Sequence, residues 1–469
     1  MSTVTQGMSK TLRDNGAVRW GMLLMIALTM LFAYMFVDVL SPLQAHMGEE
    51  FGWSGSVFGT YAGSEFFINV FLLFLIFAGI ILDKMGVRFT AVLSGSLMVV
   101  GAFIKVYALS KTFNSGGFGY SFLSSFAPDF PASAKMASVG FAIFGTGCEM
   151  AGVTVSRAIV KWFEGKEMAL AMAIEMAIAR LGVAVVMHSS PAIHAKFGSV
   201  QAPVLFGALL LTIGLLLYLV YGIFDGKLDR QLKALHVESD AGSDEEPFHF
   251  RDLRKVFGSR VFWIITLLCM LYYAAIFPFQ RFATNMLESN LGFDNKTAAG
   301  IFSLFPFGAM IITPPLGYFL DRKGKGATML MVGSILMILC HGTFALYPFG
   351  SDKVSVVIAI TAIVLLGISF SLVPAALWPS LPKLIDNKVL GSAYSATFFI
   401  QNIGLMLVPM LIGSVLDLTN PGVEAGEPLN YTPVMLIFTS FGVAALLLSA
   451  LLKVIDKRHN YGLELPNIQ

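Results

Sequence analysis

The sequence contains one short motif twice, as GIILDKMGVR at residues 79–88 and as GYFLDRKG at residues 317–324. Both copies read G-x-x-x-D-[KR]-x-G, and each one follows a long apolar stretch. Glycine at the last position suits a tight turn, because it adopts backbone angles that other residues disfavour. The charged residues of the two copies are Asp83, Lys84, Arg88, Asp321 and Arg322. Because such side chains can bridge neighbouring helix ends, we expect two similar half-chains with these residues in loop or gating positions.

The composition around the motifs is that of a membrane protein. Of the 469 residues, 56% are hydrophobic and 13% are charged, against about 25% charged in soluble domains. A net charge of +2 offers no surface for polyanions, so we expect no nucleic-acid partner. The three cysteines are scattered through apolar runs, which predicts neither a disulfide framework nor a metal site. Without a phosphate-binding loop or a nucleophile elbow, we expect neither a cofactor nor enzymatic activity.

Twelve stretches are apolar over the roughly 20 residues that a helix needs to cross a bilayer. They lie near residues 19–41, 56–82, 89–110, 136–161, 167–190, 203–225, 261–287, 297–320, 327–348, 353–376, 389–416 and 432–455. The stretch between the sixth and the seventh is dense in charged residues. We therefore divide the chain into an N-terminal segment 1–18, a six-helix bundle 19–225, a linker 226–260, a second six-helix bundle 261–455 and a tail 456–469.

The distribution of Lys and Arg predicts the orientation, since cytosolic loops are enriched in these residues. With a cytosolic N-terminus, that side of the membrane holds 22 of the 31 Lys and Arg residues, and the other side holds five. We therefore expect both termini and the linker to be cytosolic. The loop 111–135 on the other side is unusually long, and it could form a flap there.

Repeated at equivalent places in two half-chains, the motif resembles the loop signature of the major facilitator superfamily. The resemblance implies an all-α membrane fold of twelve transmembrane helices in two pseudo-symmetric six-helix bundles. Transporters with internal repeats bind substrate near the bilayer midplane between the repeats, and rock one repeat against the other. We expect this arrangement here, with a small-molecule substrate and the lipid bilayer as partners and a monomer as the functional unit.

Ionisable residues inside the spans are candidates for function, because charges in hydrocarbon are costly. Glu149 lies about 18 Å from Lys161 along the fourth span, and Arg180 about 21 Å from Lys166 along the fifth, at 1.5 Å per residue. Both are therefore near the midplane on consecutive helices. They could neutralise each other as a structural salt bridge. They could equally separate and bind the two ends of a zwitterion, Glu149 on an ammonium group and Arg180 on a carboxylate.

The other intramembrane charges are less informative. Arg157 lies about 6 Å from the cytosolic end of its span, which favours a gate or a snorkelling side chain. Asp38 and Arg281 lie at the outer ends of their spans. Glu65 and Lys105 are deeper, and they could pair directly.

Prolines within the spans predict kinks, because proline frees a backbone carbonyl where a gate must bend. We expect Pro278 to interrupt the seventh span, Pro306 the eighth, and Pro374 with Pro379 to end the tenth.

Uncharged residues at the same depth are further candidates for the site. Tyr272 and Tyr273 precede Pro278 at the depth of a central cavity and could line it. Gln401 and Asn402 reach the midplane in the eleventh span, where their amides could bind a polar substrate or pack helices together.

A more specific resemblance rests on segments that follow in order through nearly all the spans. They are GCE at 147–149, WFEGKE at 162–167, ARLG at 179–182, YY at 272–273, FPF at 277–279, ALWP at 376–379, LGSAY at 390–394 and IQNIGL at 400–405. With these segments the chain resembles the lysosomal dipeptide uniporters of the superfamily. The resemblance implies that Glu149 and Arg180 hold the amino and carboxyl termini of a dipeptide, and it adds Trp378 to the site. It implies transport without a coupled ion, although Glu149 or Glu65 could carry a proton here.

The chain departs from this family pattern in two respects. Val155 and Ser156 replace a Gln-Asn pair, and Arg157 follows in place of an uncharged residue, which adds a positive charge near the site. The first nineteen residues contain no acidic dileucine signal, so lysosomal targeting is not implied and we expect a cell inner (plasma) membrane.

Three hypotheses on function follow. The first is an alternating-access carrier of dipeptides or similar small zwitterions, either a uniporter or a proton-coupled carrier. The second is an organic-anion or sugar-phosphate antiporter that uses Arg157 and Arg180 together. The third is a membrane receptor that retains the fold without transporting.

Overall fold

The computed structural model describes residues 11–234, 253–386 and 389–466, with all their side chains except those of Asp83, Ala169 and Leu253. These residues form helices and no strands. The expected segment 1–18, linker 226–260 and tail 456–469 lie partly outside the described residues. The all-helical fold that the hydropathy pattern predicts is confirmed.

The first half of the chain, here called the N-bundle, contains ten α-helices within the described residues. They are α1 (Gly16–Val37), α2 (Gln44–Phe51), α3 (Gly55–Ser64), α4 (Phe67–Phe71), α5 (Phe74–Ala108), α6 (Lys111–Asn114), α7 (Tyr120–Ser124), α8 (Ala132–Phe163), α9 (Met168–Phe197) and α10 (Gln201–Ala234). The sixth predicted span ends near residue 225, whereas α10 continues to Ala234.

The second half, here called the C-bundle, contains eight helices within the described residues. They are α11 (Leu253–Gly258), α12 (Arg260–Leu291), α13 (Asn295–Phe302), α14 (Leu304–Lys323), α15 (Gly326–Leu346), α16 (Lys353–Leu384), α17 (Leu390–Thr419) and α18 (Thr432–His459). The eighth predicted span consists of α13 and α14, which are separated at Ser303, three residues before the proline expected to break it.

Eleven stretches of the described residues are long and apolar enough to cross a membrane. The second predicted span is not among them, because it is not one continuous helix. It consists of α3, α4 and the start of α5, and Leu73, between the last two, has a φ of 52°. Broken helices occur at membrane depth where the free backbone groups are buried in protein or line a cavity. Phe66 and Leu75, on either side of the second piece, line the central cavity described below.

The two ends of the helix array are distinguished by their contacts. The end of the array where the described chain begins and ends is here called the termini face. There Arg13 pairs with Glu164, at the end of α8, at 2.5 Å. At the other end, here called the opposite face, the carboxylate of Asp417 at the end of α17 accepts hydrogen bonds from the backbone of Gly55 and Ser56 at the start of α3. The stretch 55–85 therefore crosses the array in spite of its breaks, so the described residues make twelve crossings.

The last glycine of each motif copy adopts the turn conformation that the motif predicts. Gly86 has a φ of 78° and Gly324 has a φ of 69°. In the first copy Gly86 interrupts α5 between the second and third spans, and in the second copy Gly324 ends α14. The repeat is therefore structural as well as sequential.

The predicted interruptions at Pro278, Pro374 and Pro379 are wrong. Helix α12 continues through Pro278, and α16 continues through Pro374, Pro379 and Pro382 to Leu384. A proline removes one intrahelical hydrogen bond, but packing against neighbouring helices can keep the rest of a membrane helix intact. Pro278 is itself buried and flanked by Phe279, which is fully buried.

One lysine anchors the second part of the long loop 111–135. Lys135 at the start of α8 donates to the carbonyl of Leu123 at 2.5 Å and also to the carbonyl of Phe126. These bonds connect the short helix α7 and the residues after it to α8. Three phenylalanines of this loop, Phe118, Phe122 and Phe126, are exposed.

Candidate substrate site between the bundles

A cavity of about 460 Å³ lies between the two bundles. The N-bundle contributes residues of α1, α3, α5 and α8 and of the break after α3, and the C-bundle contributes residues of α12 and α17. The polar and aromatic residues that line it are Tyr34, Glu65, Cys148, Glu149, Ser156, Tyr273, Phe277, Arg281 and Gln401. Because both bundles form its walls, a molecule in this cavity would contact both halves of the protein.

Glu149 presents a carboxylate to the cavity from the middle of α8. The side chain is half-buried, and it forms neither a hydrogen bond nor an ion pair with any residue that the structure describes. A carboxylate without a partner inside a membrane protein is costly. Glu149 is therefore available for a cationic group that enters the cavity.

Arg180 extends from α9 of the N-bundle to the C-bundle. Its guanidinium donates to the hydroxyl of Thr313 on α14 at 2.5 Å, and Thr313 is in turn 3.1 Å from the hydroxyl of Ser371 on α16. The guanidinium carbon also lies 4.8 Å from the centre of the Phe370 ring, within range of a cation–π interaction. Its partners are thus uncharged, and no carboxylate among the described residues neutralises it.

Glu149 and Arg180 do not form a salt bridge in this structure. Each has an environment of its own, although Tyr34 on α1 lies within electrostatic range of both. The alternative of mutual neutralisation is therefore not realised here. Glu149 lines the central cavity, whereas Arg180 is not among the residues that line it.

Of the predicted aromatic residues, Tyr273 lines the cavity, whereas Trp378 contacts Tyr273 without being among the residues that line it. The indole nitrogen of Trp378 donates to the hydroxyl of Tyr273 at 3.1 Å, and Tyr273 stacks on Phe277 with ring centres 5.6 Å apart. Tyr272 is different, because it is fully buried and its hydroxyl lies 3.0 Å from that of Ser369. Tyr272 therefore lies behind Tyr273, and the prediction that it lines the cavity is wrong.

The two amide side chains of the eleventh span face different places. Gln401 lines the cavity, and its carbonyl oxygen accepts a hydrogen bond from the thiol of Cys269 at 3.3 Å. Asn402 instead faces a small pocket shared with Asn69 and Leu73 near α4. Consecutive residues of a helix point in directions about 100° apart, so only one of the two can face the site.

The first motif copy ties two helix ends of the N-bundle together. Arg88 pairs with Asp229 at 3.2 Å and approaches Asp225 at 3.9 Å, both on α10. In the second copy, the guanidinium of Arg322 lies 4.7 Å from the ring centre of Tyr318 in the same helix. The duplicated motif thus makes different contacts in the two bundles.

The other predicted gating residues have varied surroundings. Lys84 is exposed, and the side chain of Asp83 lies outside the described part of the structure. Arg157 is half-buried, and it and Asp321 both interact with other residues. Pro278 lines the central cavity from within the continuous helix α12.

A charged cluster between the bundles was missed by sequence reasoning. Arg281 on α12 donates to Asp38 at 3.0 Å and to Glu65 at 2.6 Å, and also to the carbonyl of Val37. Gln280 donates to the other oxygen of Asp38 at 2.6 Å. The direct pairing of Glu65 with Lys105 that we considered is therefore wrong, because Arg281 of the other bundle occupies that position.

Lys105 lies beside this cluster without a hydrogen-bond partner among the described residues. It is fully buried, and its ammonium nitrogen is 4.4 Å from the ring centre of Phe36, 4.5 Å from Phe141 and 5.1 Å from Tyr61. Ring faces stabilise a cation, especially one that has lost its water. Three rings from three helices thus enclose this lysine, and hydropathy alone could not reveal them.

Close packing of α3 on α17 joins the bundles at the opposite face. A Cβ atom added to Gly59 would lie 3.0 Å from the carbonyl carbon of Pro409, and one added to Gly63 would lie 3.2 Å from that of Met406. Beyond this contact the cavity is lined by Ser156, in the second half of α8, and by Phe398, near the start of α17. The cavity is therefore closed toward the opposite face by α3 and α17 and extends from this contact toward the termini face.

Comparison with known proteins agrees with this architecture. The family model described as "Major Facilitator Superfamily" matches residues 26–409. A relative from Danio rerio, "Lysosomal dipeptide transporter MFSD1", is 28% identical over 74% of this chain and 70% of its own length. The "Probable sulfoacetate transporter SauU" of Cupriavidus necator is 27% identical over 59% of this chain and 65% of its own length.

Among solved structures, that of the nucleoside transporter NupG superposes with a TM-score of 0.67 at 14% identity. The superposition covers 92% of this chain and 99% of that one. At this identity the likeness concerns the fold alone. Because the family model covers most of the chain and the twelve crossings form two bundles around a central cavity, the chain belongs to the major facilitator superfamily and is a multi-pass membrane transporter.

Proposed function

We propose that this protein is an alternating-access carrier of dipeptides or similar small zwitterions. The observation that carries the proposal is the pair Glu149 and Arg180, two unneutralised groups of opposite charge on neighbouring helices at the bundle interface. An α-ammonium group would pair with Glu149, and an α-carboxylate would accept two hydrogen bonds from the guanidinium of Arg180. The dipeptide-transporting relative supports the same assignment by its name.

The walls of the cavity suit a substrate whose side chains vary. Its volume of about 460 Å³ lies within the range of about 300–1,000 Å³ that is usual for ligand pockets. Tyr273 and Phe277 offer apolar faces with few directed polar groups, and Gln401 adds one amide. Recognition would therefore depend on the charged ends of the substrate and tolerate many side chains.

Arg180 also connects the substrate to the motion of the bundles. In this structure it bonds to Thr313 of the C-bundle, so the N-bundle and the C-bundle are joined through its guanidinium. A substrate carboxylate on Arg180 would compete with Thr313 for the same donors. Binding would thus weaken one contact between the bundles, as rocking of one bundle against the other requires.

We further propose that the termini face is cytosolic and that the membrane is a cell inner (plasma) membrane. The excess of Lys and Arg on that face supports the orientation. With this orientation the structure represents an inward-facing state, since the opposite face is sealed by α3 and α17. We also propose that each chain transports as a monomer, because the cavity is formed within one chain.

A thermal-shift screen of the purified protein tests the substrate class. We expect dipeptides to raise the Tm, single amino acids to raise it less, and dicarboxylates to have no effect. The Arg180→Ala and Glu149→Gln variants should keep the Tm of the unliganded protein and lose the response to dipeptides. Stabilisation by dicarboxylates alone would overturn the proposal.

The organic-anion antiporter is the second candidate, because one relative is named as a sulfoacetate transporter. Arg157 and Arg180 would then both bind the anion, and Glu149 would be dispensable. Counterflow of a labelled dicarboxylate into liposomes that contain the same anion distinguishes the two. Anion exchange that survives Glu149→Gln and is lost in Arg157→Gln would favour this candidate.

A further inference from the structure

We propose that Glu65 carries one proton through the transport cycle, which makes this carrier a proton symporter. The inference rests on the proposed function and adds the coupled ion to it. It follows from the charged cluster formed by Asp38, Glu65, Lys105 and Arg281, which the substrate site does not use. In that cluster the two carboxylates and Lys105 belong to the N-bundle, and Arg281 belongs to the C-bundle.

The two carboxylates differ in the hydrogen bonds that they keep when Arg281 moves away with the C-bundle. Asp38 also accepts a hydrogen bond from Ser41, which belongs to its own bundle, at 2.9 Å. Glu65 accepts a hydrogen bond from Arg281 alone among the described residues, at 2.6 Å. Separation of the bundles at the opposite face would therefore leave Glu65 without any of its described partners.

Glu65 cannot follow Arg281 to keep the contact. Its backbone carbonyl packs against Gly145 on α8 so closely that a Cβ atom on that glycine would overlap it, and 95% of the surface of Glu65 is buried. The carboxylate is thus held on the N-bundle, with protein around most of it. An ionised carboxylate in such a site binds a proton if no cation replaces the one that left.

The charges of the cluster indicate one proton per cycle. When all four groups are ionised, the two carboxylates balance Arg281 and Lys105 in the sealed state. When Arg281 leaves, the N-bundle retains two carboxylates and only Lys105, which is held by the rings of Phe36, Tyr61 and Phe141. One proton on Glu65 restores neutrality.

The proton has a defined route through the protein. It would reach Glu65 when the opposite face is open, and an O–H bond would form on the carboxylate. When the face closes, the guanidinium of Arg281 pairs with the same oxygen, and the O–H bond breaks. The released proton then enters the central cavity, which Glu65 and Glu149 both line and which extends toward the termini face.

Several groups around Glu65 could share its titration. The charged or titratable side chains within electrostatic range of Glu65 are Asp38, Tyr61, Lys105, Cys148, Glu149 and Arg281. Two stacked histidines, His46 and His194, lie elsewhere on the opposite face with ring centres 4.1 Å apart. They are the competing source of a pH response, so the experiment must separate them from Glu65.

Distances between two spin labels, measured by double electron–electron resonance in nanodiscs, test the proposal without any substrate. Spin labels replace Lys196 and Lys353, which are exposed at the opposite face of the N-bundle and the C-bundle, in a variant without its native cysteines. Between about pH 8 and about pH 5 we expect the long distance of the open state to gain population as pH falls. For one coupled proton the open-to-closed ratio changes by at most about tenfold per pH unit.

Variants assign the response to one residue. Glu65→Gln, which mimics the protonated acid, should keep the open population high at every pH. Glu49→Gln and His46→Gln, which alter a pair at the same face outside the cluster, should respond like the unmodified protein. A distance distribution that ignores pH, or a pH response that survives Glu65→Gln, would overturn the proposal.

Proton movement in liposomes provides a second readout, with all native cysteines in place. An inward gradient of alanyl-alanine should acidify a lumen that contains a pH-sensitive dye, and Glu65→Gln should abolish this acidification. Net uptake of the dipeptide down its gradient without acidification would refute the coupling and leave the proposed function intact. Absence of dipeptide binding in the thermal-shift screen would instead refute the proposed function.

Discussion

Substitution of Gly59 by alanine should shift the equilibrium between the two states of the carrier. Gly59 on α3 faces Pro409 on α17, and the added Cβ atom would lie 3.0 Å from the carbonyl carbon of that proline, and nearer still to its oxygen. Ordinary van der Waals contact starts at 3.4 Å, so the carbonyl carbon alone requires a shift of 0.4 Å. The nearer oxygen requires a larger one. Since α3 and α17 belong to different bundles, the strain applies only while the opposite face is sealed.

The size of the effect follows from the cost of overpacking, which is typically about 1–3 kcal/mol. A bias of that size changes the ratio of two states by about 5- to 150-fold. Gly59→Ala should therefore raise the open population at the opposite face by a factor in this range. A second alanine at Gly63, which faces Met406 in the same way, should increase the shift further.

The same spin-label pair on Lys196 and Lys353 measures this equilibrium directly. The matched control is Gly222→Ala on α10, because a Cβ atom on Gly222 has no neighbour within 4 Å. Both variants should elute as folded protein from a gel-filtration column. Only Gly59→Ala should increase the population with the long spin-label distance. Equal distance distributions for Gly59→Ala, Gly222→Ala and the unmodified protein would refute the view that this helix contact seals the opposite face.

Two predictions concern the termini face. Lys161→Met removes the cation that pairs with buried Asp225 at 2.7 Å and with Asp229 at 2.5 Å. We expect this change to destabilise the protein by about 3–5 kcal/mol, because it leaves a buried carboxylate without its cation. The Tm should fall relative to that of Lys84→Met, a control at an exposed site. At the N-terminus, hydrogen bonds from the backbone and hydroxyl of Thr11 lower the pKa of Asp14 to about 2. This contribution should be fully present above the usual pKa near 3.8 and disappear as pH falls toward about 2, which amide exchange of residues 11–15 would reveal.

The sequence was sufficient for the features that depend on one segment at a time. Long apolar stretches predict crossings, and the repeated motif predicts glycine turns, which Gly86 and Gly324 adopt. Residue spacing along a helix also predicts depth, so spacing alone assigns Glu149 and Arg180 to the middle of their helices. These quantities are set by local geometry and by the transfer of side chains into lipid.

The remaining features depend on which helices face one another. Glu65 and Arg281 are 216 residues apart, and their pairing follows from the packing of α12 against the N-bundle, which hydropathy does not encode. The aromatic enclosure of Lys105 similarly needs rings from three separate helices. The continuity of α12 at Pro278 depends on packing that compensates for one lost hydrogen bond, so a proline in the sequence does not by itself predict a break.

The separation of Gln401 and Asn402 has the same origin. Both residues have the right depth, but the rotation of α17 about its axis decides which one faces the cavity. Rotation of a helix that is apolar on most sides leaves little trace in its sequence. Tyr272 and Tyr273 repeat the pattern on α12, where only Tyr273 lines the site.

Counterflow of a labelled dipeptide into liposomes is the most direct test of the central claim, that Glu149 and Arg180 bind the two ends of a zwitterion. We expect rapid exchange of alanyl-alanine by the unmodified protein. Exchange should fall at least about 30-fold in Glu149→Gln and in Arg180→Ala, because loss of one member of a buried charge pair typically costs about 2–5 kcal/mol. A dipeptide whose amino terminus is acetylated should compete only weakly. Full exchange by Glu149→Gln, or equal competition by the acetylated dipeptide, would contradict the claim.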